Sequence, residues 1–241
     1  MSLPRVNWIQ ACVEAFLLLV GVLLALMGQA WWEDRDERET VHEYAANLSI
    51  EVSANQQQLR KAILNHDGYA KAGVSLIQAM QGEIDSALSL TIKEHLSKLG
   101  YISDFRPSTA SLRNLVGSGG LGLLESAELQ LAVSNYSRLI EDHNVLQVEN
   151  LKFFHDEYIP FISERASLLD LEFMPASMGL PRDSRFGFEI EVLTESMTFE
   201  NLIVRRISAE VDAKKFAERL LEAATDLERL LAIEDLSLIH I

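Results

Sequence analysis

Apolar positions along this chain recur at spacings of three and four, and no run of useful length alternates with period two. A helix returns a side chain to the same face after three or four residues, whereas a strand does so after two, so the pattern predicts an all-α protein. Val41, Ala45, Leu48, Val52, Asn55, Leu59 and Ile63 trace one seam on a helix expected to run to about Gln81, with Asn55 its polar member. A lone Asn on an apolar seam is the residue that fixes register in coiled coils, and Asn55 is a candidate for that role. Asp85 is placed to cap a second helix carrying Leu88, Ile92, Leu96 and Leu99, which Gly100 ends.

Pro107-Ser108 opens a short helix stopped at Gly117. After Ser126 comes a long pattern, Leu129, Val133, Tyr136, Ile140, His143, Leu151, Phe154 and Tyr158, which Pro160 ends or kinks. Residues 172–188, with two prolines and two glycines, read as an irregular loop. A last helix begins near Thr198 and carries Phe199, Ile203, Ile207, Val211, Leu220, Ala224, Leu227 and Leu231. Three long and two shorter helices of alternating direction pack most simply as an antiparallel bundle.

The N-terminal pattern is different. From Ala15 to Gly28 the side chains are uncharged and apolar, and Trp8 and Trp32 flank the stretch. A helix needs about 20 residues to cross a hydrocarbon core about 30 Å thick, and Trp favours its interfaces. The Leu, Val and Phe residues from Phe16 to Leu26 favour insertion by about 4 kcal/mol in total, more than the ~3 kcal/mol that a central acid costs. The offending acid, Glu14, lies off-centre. The expectation is an uncleaved transmembrane helix over residues 8–32 after a tail of residues 1–7, preferred to a cleaved signal peptide. It would continue into a helical-bundle domain over residues 33–234. Residues 235–241 form a doubtful tail, because Leu236 to Ile241 resembles translated sequencing-adapter read-through.

Composition narrows the function. Of 241 residues, 21 are Lys or Arg and 36 Asp or Glu, a net charge of −15. Nucleic acid is therefore not an expected partner, because phosphate binding needs a basic surface. The single cysteine, Cys12, excludes an intramolecular disulfide and a cysteine-rich zinc site. The short N-terminal tail places the N-terminus in the cytoplasm and the acidic domain outside it.

Glu14, then Gly21-Val22-Leu23-Leu24-Ala25-Leu26, then Trp32-Glu33-Asp34-Arg35-Asp36-Glu37-Arg38 resembles the start of a bacterial family of single-pass membrane proteins, domain of unknown function 6090. Ser111-Leu112-Arg113-Asn114-Leu115, a glycine-rich turn, and Leu123 to Leu129 are similar to it as well. Met27-Gly28-Gln29-Ala30 departs from the Gln and Asn residues of that family's pattern. The resemblance implies an anchored helical domain in the bacterial inner membrane, with the bundle periplasmic. It implies no activity and no cofactor.

The motifs that carry chemistry elsewhere lack their context here. Gly117-Ser118-Gly119-Gly120-Leu121-Gly122 fits a dinucleotide fingerprint but follows a helix rather than a strand, and reads as a turn. Glu39-Thr40-Val41-His42 is half of the paired motif that a di-metal carboxylate bundle needs. His143 lies on an apolar seam, where a core histidine is the plain reading and a pH or ligand sensor the sharper one. His155-Asp156-Glu157 lies in a solvated charge run, and no nucleophile elbow accompanies the serines.

The reading is therefore non-enzymatic: a membrane-anchored sensor, scaffold or partner-binding protein with the bilayer, an unknown protein and copies of itself as partners. A homo-oligomeric channel using Glu14 and an anchored metal enzyme are the other possibilities. At about 100° per residue, Glu14, Gly21, Ala25 and Gly28 share a stripe about 60° wide. Small residues there let two helix backbones approach, which makes the four a candidate association surface.

Overall fold

The computed structural model describes residues 8–82, 86–103, 105–124, 126–171, 179, 184–186 and 190–239, with side chains of the first helix described at most positions from Glu14 onward. All regular structure among them is helical. The elements are α1 (Trp8–Ala79), α2 (Ser86–Leu99), α3 (Ala110–Gly117), a 3-10 turn (Gly120–Leu123), α4 (Ala127–Phe153), a π turn (Phe154–Tyr158), α5 (Ile159–Ser163), α6 (Glu191–Thr194) and α7 (Met197–Ile239). The expected cap Asp85, the tail 1–7 and most of the expected 172–188 loop lie outside the described residues.

The axis of the fold is the pairing of α1 with α7. On α1 the buried positions Val41, Ala45, Leu48, Val52, Asn55, Leu59, Ala62 and His66 alternate spacings of four and three. On α7 Phe199, Ile203, Arg206, Glu210, Ala213, Ala217, Leu220, Ala224, Leu227 and Leu231 do the same. An average of 3.5 residues keeps a seam facing its partner helix over many turns. Gln56 donates to the Ala224 carbonyl, His66 meets Glu210, and Gly73 abuts Ile207, so the helices run antiparallel. At Gly73 a Cβ would sit 2.5 Å from Ile207 Cγ1, so only glycine admits this close an approach.

The other elements cover this pair. Ser126 caps α4, its hydroxyl accepting the Leu129 N–H at 3.2 Å, and Ser196 does the same for Phe199 at 3.3 Å at the start of α7. Pro160 has no N–H to give to the preceding turn. The chain meets it with the π turn and resumes as α5, with Pro160 in its first turn.

The buried apolar side chains form two clusters. One joins Val41–Ala62 of α1, α3, the first half of α4 and Ala217–Leu231 of α7. The other joins Ala72 and Leu76 of α1, α2, the π turn, α5, α6 and Phe199–Ile203 of α7. Each fully buried Leu or Phe contributes about 1.5–3 kcal/mol relative to an exposed one. Between the clusters lie His66, His143, Arg206 and Glu210, each buried.

The membrane expectation does not hold. Among the described residues no helix is long and apolar enough to cross a membrane. The described run of apolar side chains in α1 lies between Glu14 and Gln29, shorter than the about 20 residues a span requires, and from Glu33 α1 carries charge and continues into the bundle. The transmembrane helix at 8–32, the bilayer as partner, the single-pass topology and the inner-membrane location with a periplasmic domain are therefore corrected. With them go the membrane-anchored function, the Glu14 channel and the anchored enzyme. What stands is an all-α helical bundle.

Candidate functional site

Two places concentrate groups whose arrangement asks for an explanation. The first is the part of α1 before Val41, which extends beyond the α1–α7 pairing. Phe16, Leu17, Leu18 and Leu19 are 64%, 62%, 72% and 58% exposed. Four consecutive residues at about 100° intervals encircle a helix, so apolar surface faces every side. Val22, Leu23, Leu24, Leu26, Met27, Trp31 and Trp32 prolong it. Glu14, Gly21 and Ala25 line one shallow groove with Leu17, Leu18 and Val22, and Gly28 follows on the same stripe. A Cβ added at Gly21 or Gly28 would meet nothing within 4 Å. Among the described residues, then, nothing packs against these glycines.

Asn55 lies inside the bundle. Its Oδ1 accepts the Ser108 N–H at 2.8 Å, while its Nδ2 donates to the Ser108 carbonyl at 2.8 Å and to the Tyr136 hydroxyl at 3.1 Å. One turn earlier Glu51 accepts the N–H groups of Ser111 at 2.8 Å and Leu112 at 3.1 Å, a carboxylate on the open amides at the start of α3. Asn55 and Glu51 together hold the segment before α3 to α1. Burial raises the Tyr136 hydroxyl to about 12, against the opposing pull of the Asn55 hydrogen bond.

The second place is the polar belt between the two cores. Glu210 is shared: its Oε2 meets His66 Nδ1 at 2.5 Å and its Oε1 meets Arg206 Nη1 at 2.8 Å. Arg206, 1% exposed, also donates from Nη2 to the Tyr101 carbonyl at 2.7 Å and lies 5.2 Å from the centre of the Phe154 ring. With Arg206 on one oxygen and His66 on the other, both Glu210 oxygens have a partner, which a buried carboxylate needs. His143 Nε2 lies 3.4 Å from the Phe105 carbonyl, and its ring packs edge-on to Phe105. Burial lowers the His143 pKa, nearby His66 lowers it further, and the Phe105 carbonyl pulls the other way. At the rim Asp67 is bridged by Lys71 at 2.6 Å and Lys214 at 2.8 Å. Hydrogen bonds from Lys214, then Lys71, hold the Asp67 carboxyl down at about 2.

His66, Arg206 and Glu210 escaped the sequence reading, though the spacing holds a signal for them. Continuing the four–three seam of α1 past Leu59 gives Ala62 and then His66, and continuing that of α7 past Ile203 gives Arg206 and Glu210. Charge at successive seam positions of two long helices marks a buried polar layer.

The remaining motifs are dispersed. The glycine-rich run spans the end of α3 and the 3-10 turn, with Gly119 at φ +80° and Gly120 pressed against Tyr44, far from any strand-to-helix crevice. His42 is on the exposed part of α1, and Glu157 of the π turn is bound by both Arg205 guanidinium nitrogens. Among the described residues no group of three or more His, Cys, Asp or Glu is placed to hold a metal ion. No protein-family model, curated protein or solved structure matches the chain, so the likeness to the single-pass membrane family is withdrawn and the fold rests on its own geometry.

Proposed function

We propose that this protein is a non-enzymatic assembly module: a helical bundle whose projecting α1 associates with the same segment of other copies. The observation that carries this reading is the ring of exposed apolar side chains around α1 from Phe16 to Met27. A helix that is apolar all round is stable only where something covers it. The stripe of Gly21, Ala25 and Gly28 supports identical helices as the cover, since small residues admit close backbone approach. Apolar side chains on every side support more than two copies, because a pair would cover one face of each. The non-enzymatic part is supported by the partners of the buried polar groups: Glu51, Asn55, His66, Arg206 and Glu210 are each engaged with other parts of the fold.

Cysteine cross-linking tests the arrangement. In a Cys12→Ser background, single cysteines from residue 14 to residue 28 are oxidised in the full chain. Cross-links strongest at 14, 21, 25 and 28 support the reading; absent cross-linking, or cross-links strongest on the opposite face, overturns it.

A further inference from the structure

The polar belt does work that packing alone would not require. Two leucines in place of Arg206 and Glu210 would continue the seam and merge the two cores, whereas the ionic layer keeps them apart. Among the described residues several elements supply the belt, and Tyr158 of the π turn lies fully buried beside Arg206. From α1 come His66 and Tyr69, with Asp67 and Lys71 at the rim; from α7 come Arg206 and Glu210, with Lys214 at the rim; from α4 comes His143. The segment between α2 and α3 contributes Tyr101 and Phe105, whose carbonyls receive Arg206 and face His143.

Arg206 and Glu210 cancel in charge. Of the rim carboxylates, Asp67 is bridged by Lys71 and Lys214, and Glu218 lies 3.9 Å from Lys214. We propose that this belt is an acid-operated hinge: protonation of His143 sets a second buried cation beside Arg206 against the single Glu210 carboxylate, and α1, α4 and α7 part at the belt while the apolar cores on either side stay packed. Geometry makes the opening local. Protonated His143 gains a second N–H on Nδ1, a buried atom with no hydrogen-bond partner among the described residues, and His66 nearby already opposes its charge. A buried donor without an acceptor is relieved by admitting water, and water enters where the polar layer already interrupts the apolar seam.

Hydrogen exchange of the full chain at about pH 7 and about pH 5, corrected for intrinsic amide rates, reads the hinge. The expected result is roughly tenfold faster exchange at the lower pH in residues 62–69, 101–103, 139–146 and 206–213. Residues 45–59, 92–99 and 220–231 should be unchanged. His143→Phe, which keeps the ring stack without the titrating nitrogens, should abolish the acceleration. If His143→Phe does not fold, His143→Gln replaces it, and the histidine Cε1–H resonances of the unaltered chain are titrated alongside. Acceleration spread evenly over the chain, equal acceleration in the variant, or a His143 resonance that does not titrate in the window where exchange changes would overturn the hinge.

Discussion

Replacing Glu210 by Leu removes the one anion that makes the belt tolerable. The substitution keeps an apolar side chain on the α7 seam, so the cost comes from what is stranded rather than from a cavity. Arg206, 1% exposed, loses its 2.8 Å partner, and His66 loses its 2.5 Å partner. Breaking a buried ion pair from one side costs about 3–5 kcal/mol, because the remaining charge stays desolvated without compensation. For a chain of this size each kcal/mol moves the Tm by about 2–4 °C, which gives a loss of roughly 6–20 °C. Replacing both partners, Arg206→Met with Glu210→Leu, strands neither charge and should recover most of that loss. Urea and thermal unfolding followed by circular dichroism, with the slope against urea compared between variants, supply the numbers. A single-variant loss under about 1 kcal/mol would refute the reasoning, and so would a double variant that costs the sum of the two singles.

Three further outcomes follow from particular contacts. Asn55→Ala leaves the Ser108 N–H and carbonyl and the Tyr136 hydroxyl without their partner, and should cost about 2–4 kcal/mol and hasten proteolysis between residues 100 and 110; unchanged stability and cleavage would contradict the role given to Asn55. Gly73→Ala drives a Cβ to 2.5 Å from Ile207 and should cost about 1–3 kcal/mol, partly restored by Ile207→Ala, as denaturant melts of the single and double variants will show. Acid acts through groups with lowered folded pKa values, His143 and Asp67 among them, so the unfolded chain takes up protons first. Stability held by neutral His143 is lost as pH falls below the unfolded value of about 6.5, and that held by Asp67 is lost later, between about 3.9 and about 2. Thermal melts against pH should flatten in the first window for His143→Phe and in the second for Asp67→Asn.

Much of the fold is legible in the spacing of apolar residues. The seam from Val41 to Leu59, the α2 face from Leu88 to Leu99 and the capping serines of α4 and α7 need only local rules, because three-and-four spacing and a hydroxyl before it are properties of a single helix. The belt is not legible in the same way. Apolar spacing places Ile207 and Val211 on the seam, although both are only partly buried, and passes over Arg206 and Glu210. Their burial depends on His66, 144 residues away from Glu210 in the chain, and no window of sequence contains both. The same holds for Glu51, whose partner Ser111 lies 60 residues on. Pro160 announced an interruption, but that the helix would widen over Phe154–Tyr158 rather than break is decided by tertiary packing around Tyr158, which is fully buried. The apolar run before Val41 was read as a bilayer span because apolar length is the signal for one; what is described of it is an exposed stretch between Glu14 and Gln29 of a helix that continues into the bundle.

The central claim is that copies of this chain associate through the exposed stretch of α1, and the mass in solution tests it most directly. Sedimentation equilibrium of the full chain, without detergent, should give at least three times the 27.1 kDa chain mass. Leu17→Gln with Leu24→Gln should return it to a single copy while the circular dichroism spectrum stays helical. A single-copy mass for the unaltered chain, or a chain that is single in buffer and is carried down by phosphatidylcholine vesicles, would contradict the account.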